Sequence, residues 1–128
     1  MTDIAVDQRR STAAVIGDHL AKRQAGETEE DIQENYAEDV IVLSAFGDRF
    51  GHDGVRASAA QLRHDVGDDA AFAYHTVVVR DEYAYLEWSA SDREGKQLTA
   101  GIDSFAVRDG RIVFQSVHYS PPEARGWV

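Results

Sequence analysis

The sequence predicts an α+β fold in which three helices precede an antiparallel sheet. Three observations lead there. Apolar residues recur at helical spacing up to about Val66, long β-branched and aromatic runs fill most of the chain from Phe72 to Tyr119, and short polar turns separate those runs. Helices that come first, followed by a meander of strands, pack together on one face of the sheet.

The first helix is expected between about Val6 and Ala25. Ala13, Ile16 and Leu20 form one apolar stripe with His19 beside it, Asp18 and Lys22 pair at i,i+4 on another face, and Gly26 supplies the C-cap. Thr28 followed three residues later by Asp31 reads as a capping box with Asp in place of Glu, and Ile32 and Tyr36, one turn apart, carry a second, shorter helix. Val40 to Ala45 is apolar and β-branched without a helical period, so a short strand is expected before the break at Phe46-Gly47-Asp48. Asp53 can cap a third helix that turns Val55, Ala59, Leu62 and Val66 inward and leaves Arg56, Arg63 and His64 in water. The strands Phe72 to Arg80, Tyr83 to Ser91, Gln97 to Arg108 and Arg111 to Tyr119 follow. Asp109-Gly110 between the last two is the clearest hairpin signal, because a type I′ turn needs positive φ at both central residues. Pro121-Pro122 ends the final strand.

Composition narrows the function. A chain of 128 residues has room for one domain, 1–128, and 43% hydrophobic with 28% charged residues is ordinary for a folded soluble protein. A net charge of −10 repels phosphate backbones and the Arg and Lys residues are scattered, which argues against nucleic-acid binding. Without cysteine there is no disulfide, thiol nucleophile or thiolate metal site. No HExxH, His-x-His pair, acidic cluster at ligand spacing, phosphate loop or GxSxG elbow is present, so neither a metal nor a bound cofactor is expected. No segment is apolar for long enough to span a membrane, and Met1 to Arg10 lacks the apolar core of a signal peptide; a cytoplasmic location is the expectation.

Three stretches, in this order, carry a family likeness: Gln24-Ala-Gly-Glu27 leading to Asn35-Tyr-Ala-Glu-Asp-Val-Ile-Val-Leu43, then Gly51-His-Asp-Gly-Val-Arg56, then Gly101-Ile-Asp-Ser-Phe-Ala-Val-Arg-Asp-Gly-Arg-Ile112. Together they resemble the nuclear transport factor 2-like superfamily and its SnoaL-like members. That superfamily includes ketosteroid isomerase, polyketide cyclases, scytalone dehydratase, limonene epoxide hydrolase and non-catalytic proteins. The resemblance covers roughly Val15 to Tyr119. It implies a cone-shaped α+β barrel, three N-terminal helices on a curved, mainly antiparallel sheet that encloses a pocket for a small apolar ligand. It also implies a homodimer formed through the outer sheet face, where Tyr83 and Tyr85 would lie.

Laid against ketosteroid isomerase, Asp103 falls where that family keeps a protonated Asp facing the developing oxyanion, His19 where the partner Tyr stands, and Ser44 where the catalytic base would be. A serine cannot replace that base near neutral pH, so the isomerase reaction itself does not carry over. The cyclase and dehydratase branches place His and Asp on the inner sheet face or first helix. The candidates for proton handling are therefore His19, Asp103 and His75, with His19 expected to pair with Asp103 and His75 to share a face with Ala73, Val77 and Val79. Alternation along Gln97 to Arg108 puts Asp103 on one face with Thr99, Gly101, Phe105 and Val107. Tyr36, Ser44, Trp88, Phe105, Val117 and Tyr119 are the expected ligand-binding residues; His118 should point outward, and His52 and His64 should be solvated. The function implied is a cofactor-free enzyme acting by proton transfer as a cyclase, dehydratase or isomerase on a small apolar carbonyl or hydroxylated compound. The alternative is a non-catalytic binding or dimerisation module.

Overall fold

A computed structural model describes residues 10–122. Three helices, α1 (Thr12–Gln24), α2 (Thr28–Asn35) and α3 (Gly51–Val66), accompany six strands: β1 (Tyr36–Ser44), β2 (Gly47–Phe50), β3 (Ala71–Arg80), β4 (Tyr83–Ser91), β5 (Gln97–Arg108) and β6 (Arg111–Tyr119). The strands form one sheet in the order β2-β1-β6-β5-β4-β3. Every neighbouring pair is antiparallel except β1 and β6, which run parallel. The expected α+β architecture is the one observed, and register shifts between β1 and β6, β3 and β4, β4 and β5, and β5 and β6 bend the sheet around its helical side.

Differences from the sequence expectation are local and have physical causes. The hydroxyl of Ser11 accepts from the amide of Ala14 and starts α1 at Thr12, so Arg10 and Ser11 precede the helix, while the expected turn at 6–9 lies outside the described residues. The Thr28-x-x-Asp31 pattern makes no cap: Glu27 stands at the N-cap without a side-chain bond, and Asp31 turns inward instead. Tyr36 leaves helical geometry with φ −107° and ψ 138° and pairs with Ile112, so it opens β1 and does not extend α2. The break at Phe46-Gly47-Asp48 belongs to a hairpin and not a terminus: Ala45 and Phe46 make the turn, and β2 returns along β1 with Ser44 opposite Gly47. Asp53 sits within the first turn of α3, after Phe50 at its N-cap. Asp109 and Gly110 have φ of 55° and 77°, as the I′ turn requires.

The core lies between the helices and the inner sheet face. Val15 and Ile16 of α1, Ile32 of α2, Val55 of α3 and Val40, Val42, Phe105 and Ile112 of the sheet are almost wholly excluded from solvent. No helix among the described residues is long and apolar enough to cross a membrane.

Candidate functional site

On the sheet side the site is built by alternation. Asp103 of β5 points inward with Gly101 and Phe105, and register places Trp88 of β4 opposite Gly101. The indole lies over that glycine: a Cβ added there would stand 2.2 Å from Cζ2 and 2.3 Å from Cε2. The close approach brings Trp88 Nε1 within 3.0 Å of Asp103 Oδ1, to which it donates. From β6, Gln115 Nε2 donates to Asp103 Oδ2 at 3.0 Å, while Gln115 Oε1 accepts from the Tyr36 hydroxyl at 2.5 Å. Burial pushes the Asp103 carboxyl above its ordinary value, and the bonds from Trp88 and Gln115 oppose that rise without cancelling it.

On the helical side, His19 follows Val15 by one turn and lies on the buried face of α1. Its Nδ1 donates to Asp31 Oδ2 at 2.8 Å, and its ring meets Tyr36 and Phe105 edge-on at 5.7 and 5.4 Å. Asp31 is fully buried and also accepts from Arg23 Nε at 2.6 Å and Asn35 Nδ2 at 2.7 Å. Burial works to raise the Asp31 carboxyl, yet the bonds from His19 and Asn35 and the charge of Arg23 hold it below the ordinary carboxylate value. The carboxylate fixes the tautomer and leaves Nε2 of His19 as the nitrogen that Asp31 does not engage.

Between these two sides lies a cavity of about 350 Å³, within the size range of small-molecule sites. His19, Asp103, Trp88, Gln115 and Val117 line it together with Phe72, Tyr74 and Leu86, and Arg23, Arg56 and Arg63 complete its wall from the helices. Burial raises the Tyr74 phenol, which therefore stays neutral across the physiological range.

The expected residues fall into three groups. His19, Asp103, Trp88 and Val117 line the cavity. Tyr36, Phe105 and Tyr119 stand behind its wall: Tyr36 holds Gln115, Phe105 packs on His19, and Tyr119 donates to Asp65 at 2.6 Å while its ring lies 5.8 Å from Trp88. His75 and Ser44 are elsewhere. Phe72 and Tyr74 line the cavity, so His75 after Tyr74 faces away from it, and the register shift between Tyr74 and Thr76 makes it an extra residue that no longer shares a face with Val77 and Val79. Its Nε2 meets the hydroxyl of Ser89 at 2.7 Å, and Ser89 alternates with cavity-lining Trp88. Ser44 ends β1 and accepts from the amide of Phe46 at 3.1 Å, a local turn contact.

The expected bond between His19 and Asp103 is also replaced. Both face one cavity, but His19 is tied to Asp31, and Asp103 to Trp88 and Gln115. Arg56 and Arg63, expected in open water, reach the cavity wall because α3 forms part of that wall. His52 is half-buried with Nε2 2.9 Å from the carbonyl of Tyr36, whereas His64 and His118 are exposed as expected. Among the described residues no three His, Asp or Glu side chains gather as metal ligands.

Comparison with known proteins agrees with the fold. A family model described as a SnoaL-like domain matches residues 18–115. No curated protein matches the sequence. Among solved structures, a protein from Kribbella flavida is similar with a TM-score of 0.72 at 13% identity, over 88% of this chain and 90% of that one. A protein from Agrobacterium tumefaciens, named as a candidate isomerase of the SnoaL-like family, gives 0.69 at 16% identity over 83% and 94%. A candidate polyketide cyclase from Sinorhizobium meliloti gives 0.66 at 15% identity over 80% and 92%. At these identities the structural matches show a shared fold.

Proposed function

The chain belongs to the SnoaL-like domain family, and on that premise we propose that it is a cofactor-free enzyme moving a proton on a small, largely apolar carbonyl or hydroxylated compound, as a cyclase, dehydratase or isomerase does. One observation carries the reading: a His held by a buried carboxylate and an Asp kept in an apolar pocket line the same cavity. Nε2 of His19 takes a proton from the substrate, and Asp31 stabilises the imidazolium that results. Asp103, protonated, donates to the substrate oxygen on which negative charge develops. Phe72, Leu86, Trp88 and Val117 exclude water and give a flat apolar guest its surface. The outer sheet face, where Val78, Tyr83 and Ile102 are exposed, is the proposed homodimer surface.

The test reads proton transfer without the full reaction. A panel of small apolar ketones is incubated with the protein in D₂O and exchange α to the carbonyl is followed by NMR. The wild type is expected to catalyse exchange for at least one compound, and His19→Ala and Asp103→Asn to slow it by roughly 100-fold or more. Exchange retained in both variants, or absent from the wild type throughout, would leave a binding module of the same fold.

A further inference from the structure

Three arginines line the cavity, and two of them are matched by carboxylates. Arg23 reaches Asp31 at 2.6 Å, and Arg56 reaches Glu29 at 2.5 Å and Asp53 at 2.7 Å. Arg63 differs. Its Nη1 donates to the backbone carbonyl of Asp68 at 3.2 Å, and among the described residues no ion pair is formed by its guanidinium. Nearby acids are engaged elsewhere: Asp65 accepts from Tyr119 at 2.6 Å and Asp69 pairs with Arg93 at 3.2 Å. The Arg63 guanidinium carbon lies 5.9 Å above the Phe72 ring, Phe72 lies 5.8 Å from Trp88, and Trp88 bonds Asp103. These side chains form a continuous apolar strip with a cation at one end and a carboxyl at the other.

In a chain of net charge −10 the surrounding field disfavours anions, so a guest bearing one needs a local cation to hold it. A guanidinium carries its N–H donors in a planar fork suited to two-pronged recognition of a carboxylate, and Arg63 holds that fork over the Phe72 ring at the cavity wall. We propose that Arg63 binds a carboxylate on one end of a planar apolar ligand whose opposite end meets Asp103. This rests on the reading of the cavity given above and names its substrate class: flat, largely apolar acids.

Two probes of the same shape separate charge from fit: 2-naphthoate and its neutral analogue 2-naphthamide, titrated by calorimetry into wild type, Arg63→Gln and Arg63→Lys. The wild type is expected to favour the acid about tenfold, the scale of one charge-assisted hydrogen bond. Arg63→Gln should abolish that preference while changing amide affinity by less than about twofold, because Gln suits a half-exposed helical position, and Arg63→Lys should restore part of it. Equal binding of acid and amide by the wild type, or a preference that survives Arg63→Gln, overturns the assignment and leaves the apolar cavity intact. Failure of both probes to bind the wild type overturns the cavity reading along with it.

Discussion

His19 and Asp31 lie 12 residues apart on neighbouring helices, and their 2.8 Å contact ties α1 to α2. The same carboxylate holds Arg23 and Asn35, and Asn35 passes the network on to Asp18 at 2.9 Å. Asp31 therefore positions the proposed base and also fixes how two helices pack against the sheet.

Replacement of Asp31 by Ala leaves three donors facing a gap. Breaking a buried pair on one side costs about 3 kcal/mol or more, so the urea midpoint should fall sharply with an unchanged slope. A loss below about 1 kcal/mol would mean that the network is not structural.

Gly101→Ala places a methyl where the Trp88 indole lies, 2.2 Å from Cζ2. The indole must move and the bond to Asp103 must lengthen, at a cost of about 1–3 kcal/mol. In a Trp127→Phe background, which leaves Trp88 as the single indole, its emission should shift to the red. An unchanged spectrum and midpoint would show that the glycine is not needed for this packing.

The two buried carboxyls give opposite pH limbs. Asp103 is raised in the folded state above its ordinary 3.8, so its contribution to stability is complete below that value and is lost as pH rises through the folded pKa. Asp31 is lowered from the same 3.8, so its contribution is complete above that value and is lost as pH falls through the folded pKa. Asp103→Asn should flatten the loss of stability on the rising limb and leave the acid limb in place, as read by thermal unfolding across pH. An identical rising limb in wild type and variant would contradict the buried-acid assignment.

The outer face supplies a test of assembly. Val78, Tyr83 and Ile102 are 55%, 60% and 42% exposed on β3, β4 and β5. Sedimentation is expected to give a dimer and Ile102→Asp a monomer, since a charge at an apolar interface is left desolvated and unpaired. A monomeric wild type would remove the proposed interface.

Much of this architecture is legible in the residues because its signals are local. The turn at Asp109-Gly110, the α3 stripe through Val55 and Val66, and the inward face of Asp103 each follow from a short-range pattern that the rest of the fold does not override. Asp31 was not legible, because Thr-x-x-Asp before an apolar position looks the same whether the carboxylate caps a helix or crosses to another one. His75 was misplaced for a related reason: alternation locates a side chain only while the strand keeps its period, and nothing local marks the extra residue. Arg63 reads as a solvated charge on its own helix, and only the position of α3 over the sheet brings it to the cavity wall.

The tie between Tyr36 and Gln115 bears on the direction in which protons can travel. The phenol occupies the amide oxygen, so Gln115 turns its NH₂ toward Asp103, and the indole of Trp88 offers nothing but N–H on the other side. Both permanent neighbours of the carboxyl are givers. When Asp103 holds a proton, neither can receive it, and the acceptor has to come from whatever occupies the hollow.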